Sequence, residues 1–106
     1  MTRWIKAADL GEIPARGKKI VEIDGMEIVV FNIDDEQYYA VEDICSHDGG
    51  PLAEGELVAT YEIACPRHGA TFDMRTGKPL TMPAIELIEA FPVVAKDGAL
   101  WLEIDW

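Results

Sequence analysis

The stretch KKIVEIDGMEIVVFNI, Lys18 to Ile33, places an Asp-Gly dipeptide between two runs of β-branched and apolar residues. Both central positions of a tight hairpin turn need positive φ, which Asp and Gly tolerate, so Asp24-Gly25 predicts a two-stranded hairpin. Further along, AFPVVAK and ALWLEI flank Asp97-Gly98 and predict a second hairpin by the same rule. EQYYAVE, after the Asp34-Asp35 turn, is rich in aromatic and β-branched residues and reads as a third strand of the first sheet. The one helix-like segment, AIELIEA, is bracketed by Pro83 and Pro92, which leave room for barely two turns, and is read as extended. The expectation is an all-β, antiparallel chain. Between about Asp43 and Pro83 glycine and proline break the strand pattern, as an inserted subdomain built from loops would.

At 106 residues and 49% hydrophobic, the chain is expected to form one domain, 1–106, with its own core. The opening MTRWIKAADL is too charged for a signal peptide, and no later run reaches a membrane-spanning length, so a cytoplasmic protein is expected. A formal charge of -11 would be repelled by phosphate backbones and anionic lipid, which argues against nucleic acid and membrane partners. A monomer is expected.

The chemistry sits inside the inserted segment. The chain has two cysteines and two histidines, and all four fall into two short stretches: CSHDGGPL, with Cys45 and His47, and CPRHGATFD, with Cys65 and His68. In a reducing cytosol such cysteines point to metal or catalysis before a disulfide. Each pair follows a predicted strand, EQYYAVE or YEIA, with 17 residues, 48 to 64, between His47 and Cys65. Gly49, Gly50 and Gly69 follow the histidines, where a loop curling round an inorganic group needs close backbone approach. Two thiolates and two imidazoles can hold one tetrahedral zinc, or a two-iron, two-sulfur cluster with the thiolates on one iron and the imidazoles on the other. Structural zinc sites usually keep like ligands adjacent in sequence. Here each loop mixes them as C-x-H and C-x2-H, an order that suits two loops facing each other across a cluster.

At these residues the sequence resembles the Rieske family, whose centres place two His and two Cys on a [2Fe-2S] cluster. The similarity extends to Phe72-Asp73, to the RTGK turn from Arg75 to Lys78, and to Pro83 at the position of the family's proline loop. It implies a Rieske-like antiparallel β-sandwich or barrel base with an inserted cluster-binding subdomain, about 43–83, and Cys45, His47, Cys65 and His68 as ligands of one [2Fe-2S] cluster. It implies an electron carrier, not itself an enzyme, that takes electrons from a flavoprotein or ferredoxin reductase and passes them to a terminal non-haem iron oxygenase. The high-potential branch of the family carries an extra Cys in each ligand loop, plus a Ser and a Tyr that donate to the cluster. The matching positions here are Gly50, Arg67, Ala70 and Phe72, so the resemblance is to the soluble, low-potential ferredoxins.

Two rival classes remain: a zinc-stabilised interaction module, and a Rieske-like small subunit of a nitrite-reductase-type enzyme. Electrons are expected to pass through the imidazole edges of His47 and His68, with Cys45 and Cys65 buried. Arg67 and Asp48 flank those histidines and are candidates for orienting a partner. Ser46 is read as a loop residue, and Trp4, Trp101 and Trp106 as core or surface-edge packing.

Overall fold

The computed structural model describes residues 2–44, 52–66, 69–81 and 86–105. The Asp24-Gly25 hairpin forms as its turn chemistry requires. β2 (Lys18–Ile23) pairs antiparallel with β3 (Met26–Asn32), and Asp24 and Gly25 both take positive φ, 52° and 87°. β4 (Tyr38–Glu42) lies on the other side of β3, and the short β8 (Ala90–Phe91) closes a four-stranded sheet in the order β2-β3-β4-β8. The second hairpin, β9 (Val93–Lys96) and β10 (Ala99–Ile104), turns on Asp97 and Gly98 at φ 54° and 75°. β10 also pairs with β1 (Arg3–Asp9), giving the order β1-β10-β9. RWIKAAD shows no alternation, and only its long-range partner makes it a strand.

These two sheets close over one apolar cluster that includes Ala8, Ile28, Val30, Leu100, Leu102 and Ile104. The other face of β3, with Val29 and Phe31, packs against a second cluster that includes Ile63, Phe72 and Met74 from the inserted segment. MEIVVFN is thus buried on both faces, which is why it reads as a nearly continuous apolar run.

The insertion between β4 and β8 has its own three-stranded sheet, β5 (Glu56–Ala59), β6 (Glu62–Ala64) and β7 (Thr71–Asp73). It is more strand-built than its glycine and proline content implies. The extended assignment of AIELIEA holds at Ala90, which enters β8; Glu86 to Glu89 form neither helix nor strand, and Ala84 and Ile85 lie outside the described residues. No described helix is long and apolar enough to cross a membrane. Trp4 is half-exposed, and Trp101 is partly buried with its Nε1 donating to the Lys96 carbonyl at 3.0 Å, so both pack at the surface; Trp106 lies outside the described residues.

Candidate metal centre

Of the four predicted ligands, Cys65 is described; Cys45, His47 and His68 lie outside the described residues, as do Ser46, Asp48, Gly49, Gly50, Arg67 and Pro83. Cys65 follows β6 directly. Its N–H donates to the Ala70 carbonyl at 2.7 Å and its own carbonyl accepts from Gly69 N–H at 3.0 Å, with Gly69 at φ 73°. These two bonds close the stretch between β6 and β7 into a tight loop on which the C-x2-H motif sits. The Cys65 side chain is 2% exposed and packs with Val29, Ile63, Ala70 and Phe72. Apolar surroundings of this kind keep water from a metal-ligating sulfur.

The stretch that contains Cys45 and His47 is pinned at both ends. On its entry side Glu42 N–H donates to the Glu89 carbonyl (2.8 Å) and Asp43 N–H to the Glu27 carbonyl (2.9 Å). The Asp43 carboxylate then reaches across to accept from Ala53 N–H at 2.7 Å. On its exit side Leu52 and Ala53 are buried in the cluster that holds Cys65. Gly55 lies so close to β6 that a Cβ there would stand 1.9 Å from the Ala64 carbonyl oxygen. Since Glu56 is opposite Ala64 in the β5–β6 register, the end of the first loop and the start of the second are neighbours in one sheet. The described residues that flank the two motifs, Leu52 to Glu56 after the first and Ala64 to Cys65 at the second, are thus brought together at one end of the inserted sheet. The donor set of thiols and imidazoles, the buried Cys65 and the glycine-closed loop fit an iron–sulfur centre.

A third segment is tied to this end. Thr71 N–H donates to Thr81 Oγ1 (3.0 Å), the two hydroxyls lie 2.9 Å apart, and Leu80 N–H donates to the Thr71 carbonyl (2.8 Å). The chain leading to Pro83 therefore departs beside the Cys65 loop.

At the far end of β6 and β7 the RTGK turn forms a clamp. Asp73 accepts from Arg75 Nε (3.1 Å), Nη2 (2.9 Å) and backbone N–H (2.8 Å), while the Arg75 guanidinium lies 4.4 Å from the Tyr61 ring centre. Tyr61 meets Tyr39 edge-on at 5.4 Å and donates its hydroxyl to Gln37 at 2.8 Å, which joins the insertion to β4. The bonded Arg75 guanidinium holds the Asp73 carboxyl below its ordinary value. Asp43, Tyr61, Thr71 and Thr81 carry no metal-ligand signature, and only their partners reveal their roles. Around the site charge is acidic: a groove lined by Asp24, Glu27, Glu42 and Asp43 runs up to Ile44, the residue before Cys45.

A family model described as the Rieske [2Fe-2S] domain matches residues 3–92. The chain is 39% identical over 93 residues, 88% of its length and 87% of the relative's, to the 3-phenylpropionate/cinnamic acid dioxygenase ferredoxin subunit of Photorhabdus laumondii subsp. laumondii. It is 33% identical over 102 residues, 96% of both chains, to the ferredoxin component of the naphthalene 1,2-dioxygenase/salicylate 5-hydroxylase systems of Ralstonia sp. Among solved structures, the ferredoxin of carbazole 1,9a-dioxygenase from Nocardioides aromaticivorans IC177 superposes with a TM-score of 0.86 at 30% identity, covering 93% of this chain and 95% of that one. A small-subunit nitrite reductase structure gives 0.81 at 19% identity, covering 94% and 97%, a likeness of fold alone.

Proposed function

Because the chain belongs to the Rieske [2Fe-2S] domain family and so carries a two-iron, two-sulfur cluster, we propose that it is the electron-carrying ferredoxin of a multicomponent oxygenase. Bound in the protein, the cluster supplies a one-electron redox couple. Cys45 and Cys65 would hold one iron and His47 and His68 the other, with the segment of about 43–83 as the cluster-binding subdomain of a single domain, 1–106. The chain is no enzyme by itself: it takes an electron from a flavoprotein or ferredoxin reductase and yields it to a terminal non-haem iron oxygenase. The relatives above are ferredoxin components of dioxygenases, which supports this in preference to a nitrite-reductase subunit. A cytoplasmic setting keeps both thiols reduced and available as ligands.

The observation that carries the proposal is the buried Cys65 in a loop closed by its own backbone, packed in one cluster with Leu52 and Ala53, the described residues that follow the other ligand-bearing stretch. The purified protein is expected to contain about two irons and two acid-labile sulfides per chain, and its reduced state to show nitrogen coordination by paramagnetic resonance. Cys65→Ser should lose both iron and sulfide. Stoichiometric zinc in protein from iron-replete cells would refute the cluster assignment. Iron without electron transfer to any oxygenase would leave the cluster standing and refute the partner.

A further inference from the structure

The open edge of the four-stranded sheet at β2 has no part in electron transfer as proposed. Among the described residues β2 pairs with β3 alone. Ile23 stands opposite Met26 across a two-residue turn, so the odd-numbered residues of β2 exchange backbone hydrogen bonds with β3, and the Asn32 N–H to Gly17 carbonyl bond (3.1 Å) continues the same phase. Lys18, Ile20 and Glu22 therefore turn their backbone donors and acceptors outward. Their side chains share one face and are exposed, Ile20 at 48%. Among the described residues Lys18 and Glu22 have no ion-pair partner. Glu22 instead stands opposite Glu27, a like-charge pair that costs stability.

We propose that β2 docks antiparallel on β2 of a second copy of this chain, about a two-fold axis at Ile20. In that register Ile20 meets Ile20, Lys18 meets Glu22 of the second copy, and Glu22 meets its Lys18. All three pairs fall at positions whose backbone groups point outward, so the ladder and the charge pattern agree on one register. A strand that reads cation, apolar, anion along one face is complementary to itself only when reversed. A purely acidic partner would leave Glu22 opposed, and a purely basic one Lys18. Edge lysines of one sign normally repel a second copy; here both signs stand at mirrored positions. The stretch holding Cys45 and His47 leaves β4 beside the Asp24-Gly25 turn, at one end of β2. Antiparallel pairing sends those two ends in opposite directions. The association is weak, because the edge is short and each copy carries a formal -11. It replaces the expected monomer when the protein is concentrated.

Sedimentation velocity of the cluster-loaded protein at physiological salt, from about 10 µM to about 1 mM, spans the range of weak complexes. The sedimentation coefficient should rise with concentration toward that of a dimer. Lys18→Glu and Glu22→Lys should each weaken the association about tenfold, since each turns two attractive pairs repulsive, and the double variant should restore it. Ile20→Pro should abolish it while leaving the β2–β3 ladder intact, because the lost N–H points away from β3. Cluster absorbance and melting temperature verify that each variant is folded; the charge reversals lie at exposed positions and keep the test valid if the proline variant does not fold. A monomer at every concentration, a dimer indifferent to the single reversals, or a double variant no better than either single one would overturn the proposal.

Discussion

Ala70 and Phe72 flank the ligand loop and are both fully buried. A hydroxyl added at either position finds no water, so it must bond within the loop or remain unpaired at a cost of about 1–3 kcal/mol. Donors aimed at a cluster sulfur stabilise the added electron, and Rieske potentials span about -150 to +300 mV. With neither hydroxyl present, the wild-type potential is expected near the low end. Ala70→Ser and Phe72→Tyr should each raise it by several tens of mV, as about 59 mV corresponds to 1.4 kcal/mol for a one-electron couple. Voltammetry with parallel melting curves decides between the two fates of the hydroxyl: an unchanged potential with lost stability means that it stays unpaired. Asp73 supplies a pH test. Its carboxyl is held below its ordinary value chiefly by the hydrogen bond from Arg75. A depressed carboxylate stabilises the fold above the unfolded-state value of about 3.9 and loses that contribution as pH falls through the lower folded value. Asp73→Asn should therefore cost about 1 kcal/mol at pH 7, a modest figure because Arg75 is half-exposed, with the gap to wild type closing below about pH 4. A gap that stays constant with pH would mean that the carboxylate charge contributes nothing.

At the scale of elements, the RTGK turn docks on the irregular run, Glu86 to Glu89, that leads into β8. Gly77 has φ 79°; its carbonyl accepts from the Ile88 N–H at 2.9 Å, and its own N–H donates to the Asp73 carbonyl at 2.7 Å. A Cβ on Gly77 would stand 1.8 Å from the Ile88 carbonyl oxygen, so no rotamer change can relieve the clash. Gly98 has a similar φ, 75°, but a Cβ there would meet no atom within 4 Å. Gly98→Ala should cost only the left-handed strain, about 1–2 kcal/mol, whereas Gly77→Ala should exceed about 3 kcal/mol because backbone must move as well. Thermal unfolding of the pair separates conformational strain from close approach. Equal losses would show that the turn is free to shift away from Ile88.

For the whole molecule, charge is the dominant feature. The formal -11 becomes one unit more negative when the cluster is reduced, and the acidic groove from Asp24 to Asp43 borders the stretch holding Cys45. A partner with a basic docking face is therefore expected, and the rate of electron transfer should fall as salt rises, since exposed charges are screened over about 10 Å at 0.1 M ionic strength. Stopped-flow rates across a salt series measure this directly, and a rate indifferent to salt would mean apolar docking instead.

Turn chemistry and the presence of a [2Fe-2S] centre were legible in the sequence because each is announced within a few residues. Asp24-Gly25 and Asp97-Gly98 carry their positive φ with them, and the C-x-H and C-x2-H stretches announce a soft-ligand site wherever they fall. β1 was not legible: Arg3 becomes part of a strand by pairing with Ile104, and no local window holds both. Nor could alternation show that β3 is covered on both faces, since its second cover comes from an insertion formed later in the chain. The adjacency of the residues that flank the two ligand-bearing stretches is likewise tertiary. It rests on Glu56 opposite Ala64, on Gly55 against β6 and on the Asp43 carboxylate reaching Ala53, contacts that exist only once the inserted sheet has closed.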